Sequence, residues 1–239
     1  MDEKLNTGEA YPSKKGFLAW LDNFWYHYKW HSIVALFLVF TVTVCTLQMC
    51  QKESYDIYIL YAGNHAYSRQ SADADTPEYI KAKSTLSRFV SDYDENGEIN
   101  VSLRDLFIPK DEDMSDLTES EYSRAYEDRT SLSTLMVSGE HFLCFLAPEI
   151  YEYYKDSGRL ADIRTIVPGD LNVEYYDESG KAISLSSTAF STLAGFSDLP
   201  SDTVICLRST GLSTHLDKKS NQEAFDRAKE TLLKILKFS

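Results

Sequence analysis

An uncharged run of 19 residues, from Ser32 to Cys50, constrains this chain more strongly than any other feature. As a helix rising about 1.5 Å per residue it would extend roughly 28 Å, close to the thickness of the bilayer hydrocarbon. Gln48 is its one strongly polar residue and lies near its end. Because nothing interrupts the run and an aromatic segment precedes it, we predict a transmembrane helix over residues 32–50 in preference to a buried core helix.

The position of this run favours an uncleaved signal anchor over two other N-terminal signals. A cleaved signal peptide has a short basic region and a cleavage site of small residues. Here 31 residues precede the run, and the following "TLQMCQKES" contains no such site. A lipoprotein signal needs a small residue before its modified cysteine, whereas valine precedes Cys45 and methionine precedes Cys50.

Lysines around the run predict its orientation. Lys14, Lys15 and Lys29 precede it, and Lys52 is the one lysine close behind it. Because basic residues favour the cytoplasmic side, we expect a cytoplasmic N-terminus and an extracellular C-terminal domain at the cell membrane. The predicted organisation is a cytoplasmic tail (1–16), an amphipathic juxtamembrane helix (17–31), the transmembrane helix (32–50) and an extracytoplasmic domain (53–239).

The segment "FLAWLDNFWYHYKWH", residues 17–31, holds all three tryptophans of the chain. Its large apolar residues recur at spacings of three and four, which predicts one apolar stripe on a helix. Tryptophan and tyrosine settle where hydrocarbon meets head groups. We therefore assign Trp20, Trp25, Tyr28 and Trp30 to the membrane interface. The alternative is that the stripe contacts a transmembrane helix of a partner.

The charge of the chain is concentrated after the apolar run. Residues 1–51 are neutral overall, and the remainder carries 20 basic and 33 acidic side chains, which accounts for the net charge of −13. An acidic domain repels phosphate backbones, so we expect no nucleic-acid partner. The expected partners are the lipid bilayer and another membrane or envelope protein.

Residues 53–239 alternate between strand and helix patterns, which predicts an α/β domain with a mainly parallel sheet. Apolar runs predict strands at 55–63, 99–108, 140–147 and 202–210. Amphipathic spacing and capping signals predict helices at 77–93, 118–137, 148–158 and 221–237. A hairpin is expected over 172–185, an acidic loop over 108–118, and a short helical piece near 187–194.

The best candidates for binding a small ligand are Gly63, Asn64 and His65, because α/β folds place ligands at the carboxyl ends of strands. No GxSxG motif or glycine-rich phosphate loop is present, and we expect neither catalytic residues nor a cofactor. An envelope enzyme is the weakest reading, and it would require His65, His141 and a carboxylate to meet in one cleft.

The stretch "DYDENGEI" resembles the first part of an EF-hand loop, with Asp92, Asp94 and Asn96 at ligand positions and Gly97 at the turn. The twelfth position, which should carry a bidentate acid, is Leu103. Two readings stay open, weak divalent-cation binding and an acidic helix-to-strand turn, and we assign no metal site.

Two cysteines, Cys144 and Cys206, lie in predicted strands. A disulfide between them is possible if the strands are neighbours. Two buried free thiols in a sheet core are the simpler prediction.

The segment Thr130 to Ile163 resembles one lobe of the type 2 periplasmic (extracellular solute-) binding proteins, with Gly139, Tyr154, Gly158 and Leu160 at matching spacing. The whole chain also resembles an uncharacterised family of single-pass membrane proteins of Gram-positive anaerobes, through "LDNFWYHYKWH" and "DYDENGEINV". Binding proteins close two lobes around a ligand, and the 189 residues after Cys50 are too few for two lobes. The resemblance therefore carries over no ligand residue.

These observations predict a membrane-anchored extracytoplasmic interaction or accessory protein of the cell envelope. The alternative is a ligand-sensing or solute-binding component that uses a binding-protein-like lobe.

Overall fold

The computed structural model describes residues 16–50, 55–68, 76–138, 140–171, 173–212 and 218–238. The chain divides into two compact units, Met1–Glu53 and Ser54–Ser239. In the first unit a single helix, α1 (Phe17–Cys50), runs without interruption for 34 residues. The predicted juxtamembrane and transmembrane segments thus form one helix, because neither Gly nor Pro occurs between them to break it.

Helix α1 is long and apolar enough to cross a membrane over Asn23–Leu47, and it is the one such helix among the described residues. Trp20, Phe24 and Tyr28 stack along it, with successive ring centroids 5.5 and 5.3 Å apart. The hydroxyls of its three threonines, at positions 41, 43 and 46, each donate to the carbonyl four residues earlier. These bonds satisfy the hydroxyls within the helix, as an apolar surrounding requires.

The second unit is built on a five-stranded mixed sheet with the order β2-β1-β3-β5-β4. Strand β1 pairs in parallel with β2 and β3, whereas β5 is antiparallel to both β3 and β4. Four strands therefore point the same way, which confirms the mainly parallel α/β prediction. The strands are β1 (Ile57–Gly63), β2 (Val101–Phe107), β3 (Leu143–Leu146), β4 (Ala182–Ser184) and β5 (Val204–Leu207).

Helices cover both faces of the sheet and create two apolar cores. Alternate residues of β1 point to opposite faces, so Ile59 joins one core and Leu60 the other. Helices α2 (Pro77–Ser87) and α5 (Lys218–Lys237) pack on the Ile59 side. Helices α3 (Glu119–Ser138) and α4 (Pro148–Tyr154) pack on the Leu60 side.

Local capping signals are confirmed. Thr76 Oγ1 accepts from the Tyr79 backbone N–H, with Pro77 opening α2. The Thr118 backbone N–H donates to Glu121 at 2.9 Å as the capping box predicts.

Several elements differ in extent from the prediction. Helix α2 ends at Ser87, well before residue 93, and α4 ends at Tyr154 before its glycine. In the described part of the predicted hairpin, residues 173–185, the second arm forms β4, and the first arm contributes a single bridge from Tyr175 to Ile183.

Candidate functional site

A cleft of about 960 Å³ opens at the carboxyl ends of β2 and β3. One wall is the segment that follows β2, and the other walls come from α3 and α4. Its lining residues are Ile108, Pro109, Lys110, Asp111, Glu112, Arg129, Leu132, Ser133, Ala147, Glu149, Ile150, Tyr153 and Tyr154. The acidic loop predicted over 108–118 supplies part of this wall, and its residues Asp111–Asp116 form a 3₁₀ helix.

Two ion pairs hold the rim of the cleft. Lys110 Nζ lies 2.8 Å from Glu149 Oε1, which ties the β2 side to α4. This hydrogen bond raises the pKa of Lys110. Arg129 Nη2 lies 2.7 Å from Asp111 Oδ1 and also donates to the Pro109 carbonyl. The pairs neutralise four of the five charged side chains of the lining, and Glu112 is the fifth. The remaining lining residues are mainly apolar and aromatic.

Three exposed tyrosines lie on the two helices that line the cleft. Tyr153 on α4 lines the cleft and is 78% exposed. Tyr122 and Tyr126 on α3 are 51% and 67% exposed. They precede Arg129 by seven and three residues, so all three lie on one face of α3. We call the cleft together with Tyr122, Tyr126 and Tyr153 the tyrosine surface.

The predicted ligand residues lie at the expected edge but do not line the cleft. Gly63 ends β1, where a Cβ would come within 2.6 Å of the Tyr61 hydroxyl. Close packing therefore requires the glycine. Asn64 donates to Asp113 over 3.3 Å, and the His65 ring packs edge-on against Tyr61 and Tyr67. Their assignment to a ligand stays a prediction.

A buried ionic cluster, which the sequence patterns do not reveal, lies beside this edge. Arg124 of α3 donates from Nη2 to Asp105 of β2 at 3.2 Å and from Nε to Asp128 at 3.1 Å. Asp128 also accepts the Phe107 backbone N–H. Burial raises the pKa of Asp105 to about 6, although Arg124 acts in the opposite direction. The four-residue spacing of Arg124 and Asp128 is the one sequence signal for the cluster.

The EF-hand-like segment forms a turn, and the carboxylate of Asp56, which precedes β1, lies close to it. One oxygen each from Asp56, Asp92 and Asp94 lie within 4.8 Å of one another, so these side chains could hold a cation. Asp92 accepts backbone N–H groups of Asn96 and Gly97, and Gly97 has a φ of 88°. Hydrogen bonds of this kind are expected if the acidic residues stabilise a helix-to-strand turn.

The histidines considered for catalysis are separated by the sheet. His65 follows the carboxyl end of β1, whereas His141 precedes the amino end of β3 and packs on Tyr58. They therefore do not meet in one cleft. His215 lies outside the described residues.

The four predicted membrane-interface residues all lie on α1, and their side chains are exposed: Trp20, Trp25, Tyr28 and Trp30. Their contact with lipid stays a prediction.

No family model, curated protein or solved structure matches this chain. The two resemblances seen in the sequence therefore stay expectations. Fold and site define a class: a mixed α/β domain with a tyrosine-rimmed cleft, preceded in the chain by a helix long enough to cross a membrane.

Proposed function

We propose that this chain is a membrane-anchored protein of the cell envelope whose α/β domain docks a second envelope protein through the tyrosine surface. One observation carries the proposal: three largely exposed tyrosines, Tyr122, Tyr126 and Tyr153, accompany a cleft in which four of the five charged lining side chains are paired with one another. Tyrosine combines a large apolar ring with a polar tip, and it is enriched in the buried centres of protein interfaces.

The anchoring part of the proposal rests on α1 and its flanking charges. A helix of this length and composition is consistent with an uncleaved anchor. The lysines before it favour a cytoplasmic N-terminus, with residues 53–239 outside. In that arrangement Trp20, Trp25, Tyr28 and Trp30 would contact the head-group region on the cytoplasmic side.

The cleft favours a second candidate function, the binding of a small solute. Its volume of about 960 Å³ is within the range of small-molecule sites. It also lies at the carboxyl ends of parallel strands, where α/β folds bind ligands. The segment Thr130 to Ile163, which resembles a binding-protein lobe, includes the second half of α3 together with β3 and α4. Helices α3 and α4 supply about half of the residues that line the cleft.

Site-specific photo-crosslinking in intact cells tests the docking proposal. A photoreactive amino acid at Tyr126 or Tyr153 is expected to capture one and the same protein. The matched control is Ile80, which is similarly exposed but lies on α2, across the sheet. Adducts of the same protein from position 80, or none from 126 and 153, would contradict docking at this surface.

A ligand-induced rise in melting temperature that Ile150→Trp abolishes would instead support solute binding.

A further inference from the structure

Arg208 follows β5 and lies beside the amino end of β3, with a side chain that is completely buried. Its Nε donates to the His141 carbonyl at 3.2 Å. Its guanidinium carbon lies 4.2 Å from the centroid of the Phe142 ring. Among the described residues, neither Nη1 nor Nη2 has a hydrogen-bond acceptor. The planar end of the guanidinium is therefore enclosed with its donors free.

His141, whose carbonyl accepts from Arg208, is a second buried residue with a nitrogen that lacks a hydrogen-bond partner. The residue is 6% exposed, and its Nδ1 has no partner within the described ranges. Burial, followed by the charges of Arg104 and Arg208, lowers the pKa of His141 to about 4. The imidazole is thus neutral near pH 7 and can present one N–H. Both basic neighbours make the surroundings of this ring electropositive.

Leaving a guanidinium buried without a counter-charge is costly, since its hydration is lost and its donors stay unpaired. The other buried arginine among the residues that the structure describes, Arg124, contacts two carboxylates. Arg208 instead contacts the ring of Phe142 and the carbonyl of His141. A chain with 37 acidic residues places none of its described carboxylates in an ion pair with Arg208.

We propose that Arg208 and His141 bind a small inorganic anion of about the size of chloride inside the domain. The two Nη atoms would donate to the anion from one side, and the Nδ1–H of His141 would donate from another. The fork of a guanidinium is suited to binding anions. The complete burial of Arg208 limits the ligand to a small ion. Binding removes the uncompensated charge and stabilises the join between β3 and β5.

Thermal unfolding of the full-length protein in detergent tests the proposal. Sodium gluconate, whose anion is too large for the site, is replaced stepwise by sodium chloride or sodium nitrate at constant ionic strength, up to about 200 mM. Unfolding is followed through the tyrosine near-ultraviolet circular dichroism, because every tryptophan lies in α1. We expect the melting temperature to rise by about 2–4 °C with saturation in chloride or nitrate.

Two substitutions of Arg208 and one control separate site binding from a general salt effect. Arg208→Met removes the charge, and apolar replacement of a buried charge usually preserves folding. Arg208→Lys keeps the positive charge but removes the planar pair of Nη donors. Both are expected to lose the saturable rise, whereas Arg159→Gln, which changes a half-buried arginine packed on Tyr154, keeps it.

Chloride-35 NMR gives a direct readout on the same samples. The wild type is expected to broaden the chloride line, and Arg208→Met is expected to lose most of the broadening. Equal melting temperatures of the wild type in all three salts, or equal shifts in wild type and Arg208→Met, overturn the proposal. An equal chloride line width with the wild type and with Arg208→Met also overturns it.

Discussion

Arg124 Nη2 lies 3.2 Å from Asp105 Oδ2, and both side chains are almost completely buried. This contact joins helix α3 to strand β2, and the two residues are 19 positions apart in the sequence. Arg124 also contacts Asp128, so one guanidinium contacts two carboxylates. Removal of this guanidinium would leave both carboxylates without the counter-charge that the described residues provide.

Arg124→Met is expected to lower the free energy of unfolding by about 3–5 kcal/mol, because two buried carboxylates lose their counter-charge. Urea denaturation followed through tyrosine signals measures the change. Lys219→Met is the matched control, since Lys219 pairs with Glu223 at the surface. We expect the control to change stability by less than about 0.5 kcal/mol. Equal effects of the two substitutions would contradict the ionic role of Arg124.

Asp105 should make stability depend on pH in the acidic range. Its pKa is about 6 when folded, against an ordinary value of 3.8, so between these values the folded state holds a proton that the unfolded state releases. This stabilisation is complete below pH 3.8 and is lost as the pH rises through about 6. Relative to Asp105→Asn, the wild type should lose about 2–3 kcal/mol between pH 4 and pH 7. Asp111→Asn controls for the removal of a surface charge, and parallel profiles of wild type and Asp105→Asn would refute the assignment.

Asp56 is expected to hold the turn that leads from α2 into β2. Its Oδ1 accepts the Tyr93 backbone N–H at 2.7 Å and its Oδ2 accepts that of Asn100 at 2.8 Å. Asp56→Ala leaves both donors unpaired, so we expect a loss of about 2–4 kcal/mol and faster amide exchange at residues 93 and 100. Asp94→Ala, at an exposed site in the same turn, should leave both amides protected. Unchanged exchange in Asp56→Ala would rule out this role.

Cys144 and Cys206 occupy paired register positions in β3 and β5, and both are buried free thiols. The hydrogen bond with Cys144, together with burial, raises the pKa of the Cys206 thiol. We expect neither thiol to react with maleimide in the native protein and both to react after unfolding without reductant. Mass spectrometry of the labelled peptides checks this. Failure of both to react after unfolding would reveal a disulfide.

The proposed topology predicts opposite labelling of the two ends of the chain. In a cysteine-free background, Lys219→Cys, at an exposed position of α5, should react with a membrane-impermeant maleimide in intact cells. Lys14→Cys, before α1, should react only after the membrane is permeabilised. Labelling of both sites in intact cells would exclude a cytoplasmic N-terminus, and labelling of neither would exclude the extracellular domain.

The sequence by itself determined the features that depend on neighbouring residues. The uncharged run and its aromatic flank predict a membrane-length helix, since helix length and apolarity are local properties. The helix caps at Thr76 and Thr118 could also be predicted, because their hydrogen bonds join residues only three positions apart. The alternation of strands and helices indicated the α/β class. Boundaries such as the end of α2 were missed, because long-range contacts of Asp56 set the following turn.

Only the tertiary structure decided which distant residues meet. The sheet order brings the segment after β2 beside α4, and this forms the cleft and its Lys110–Glu149 pair. The single antiparallel strand β5 carries Arg208 back to the amino end of β3, where the chain covers it completely. These contacts depend on strand pairing across tens of residues, and pairing is governed by packing of the whole domain rather than by local pattern.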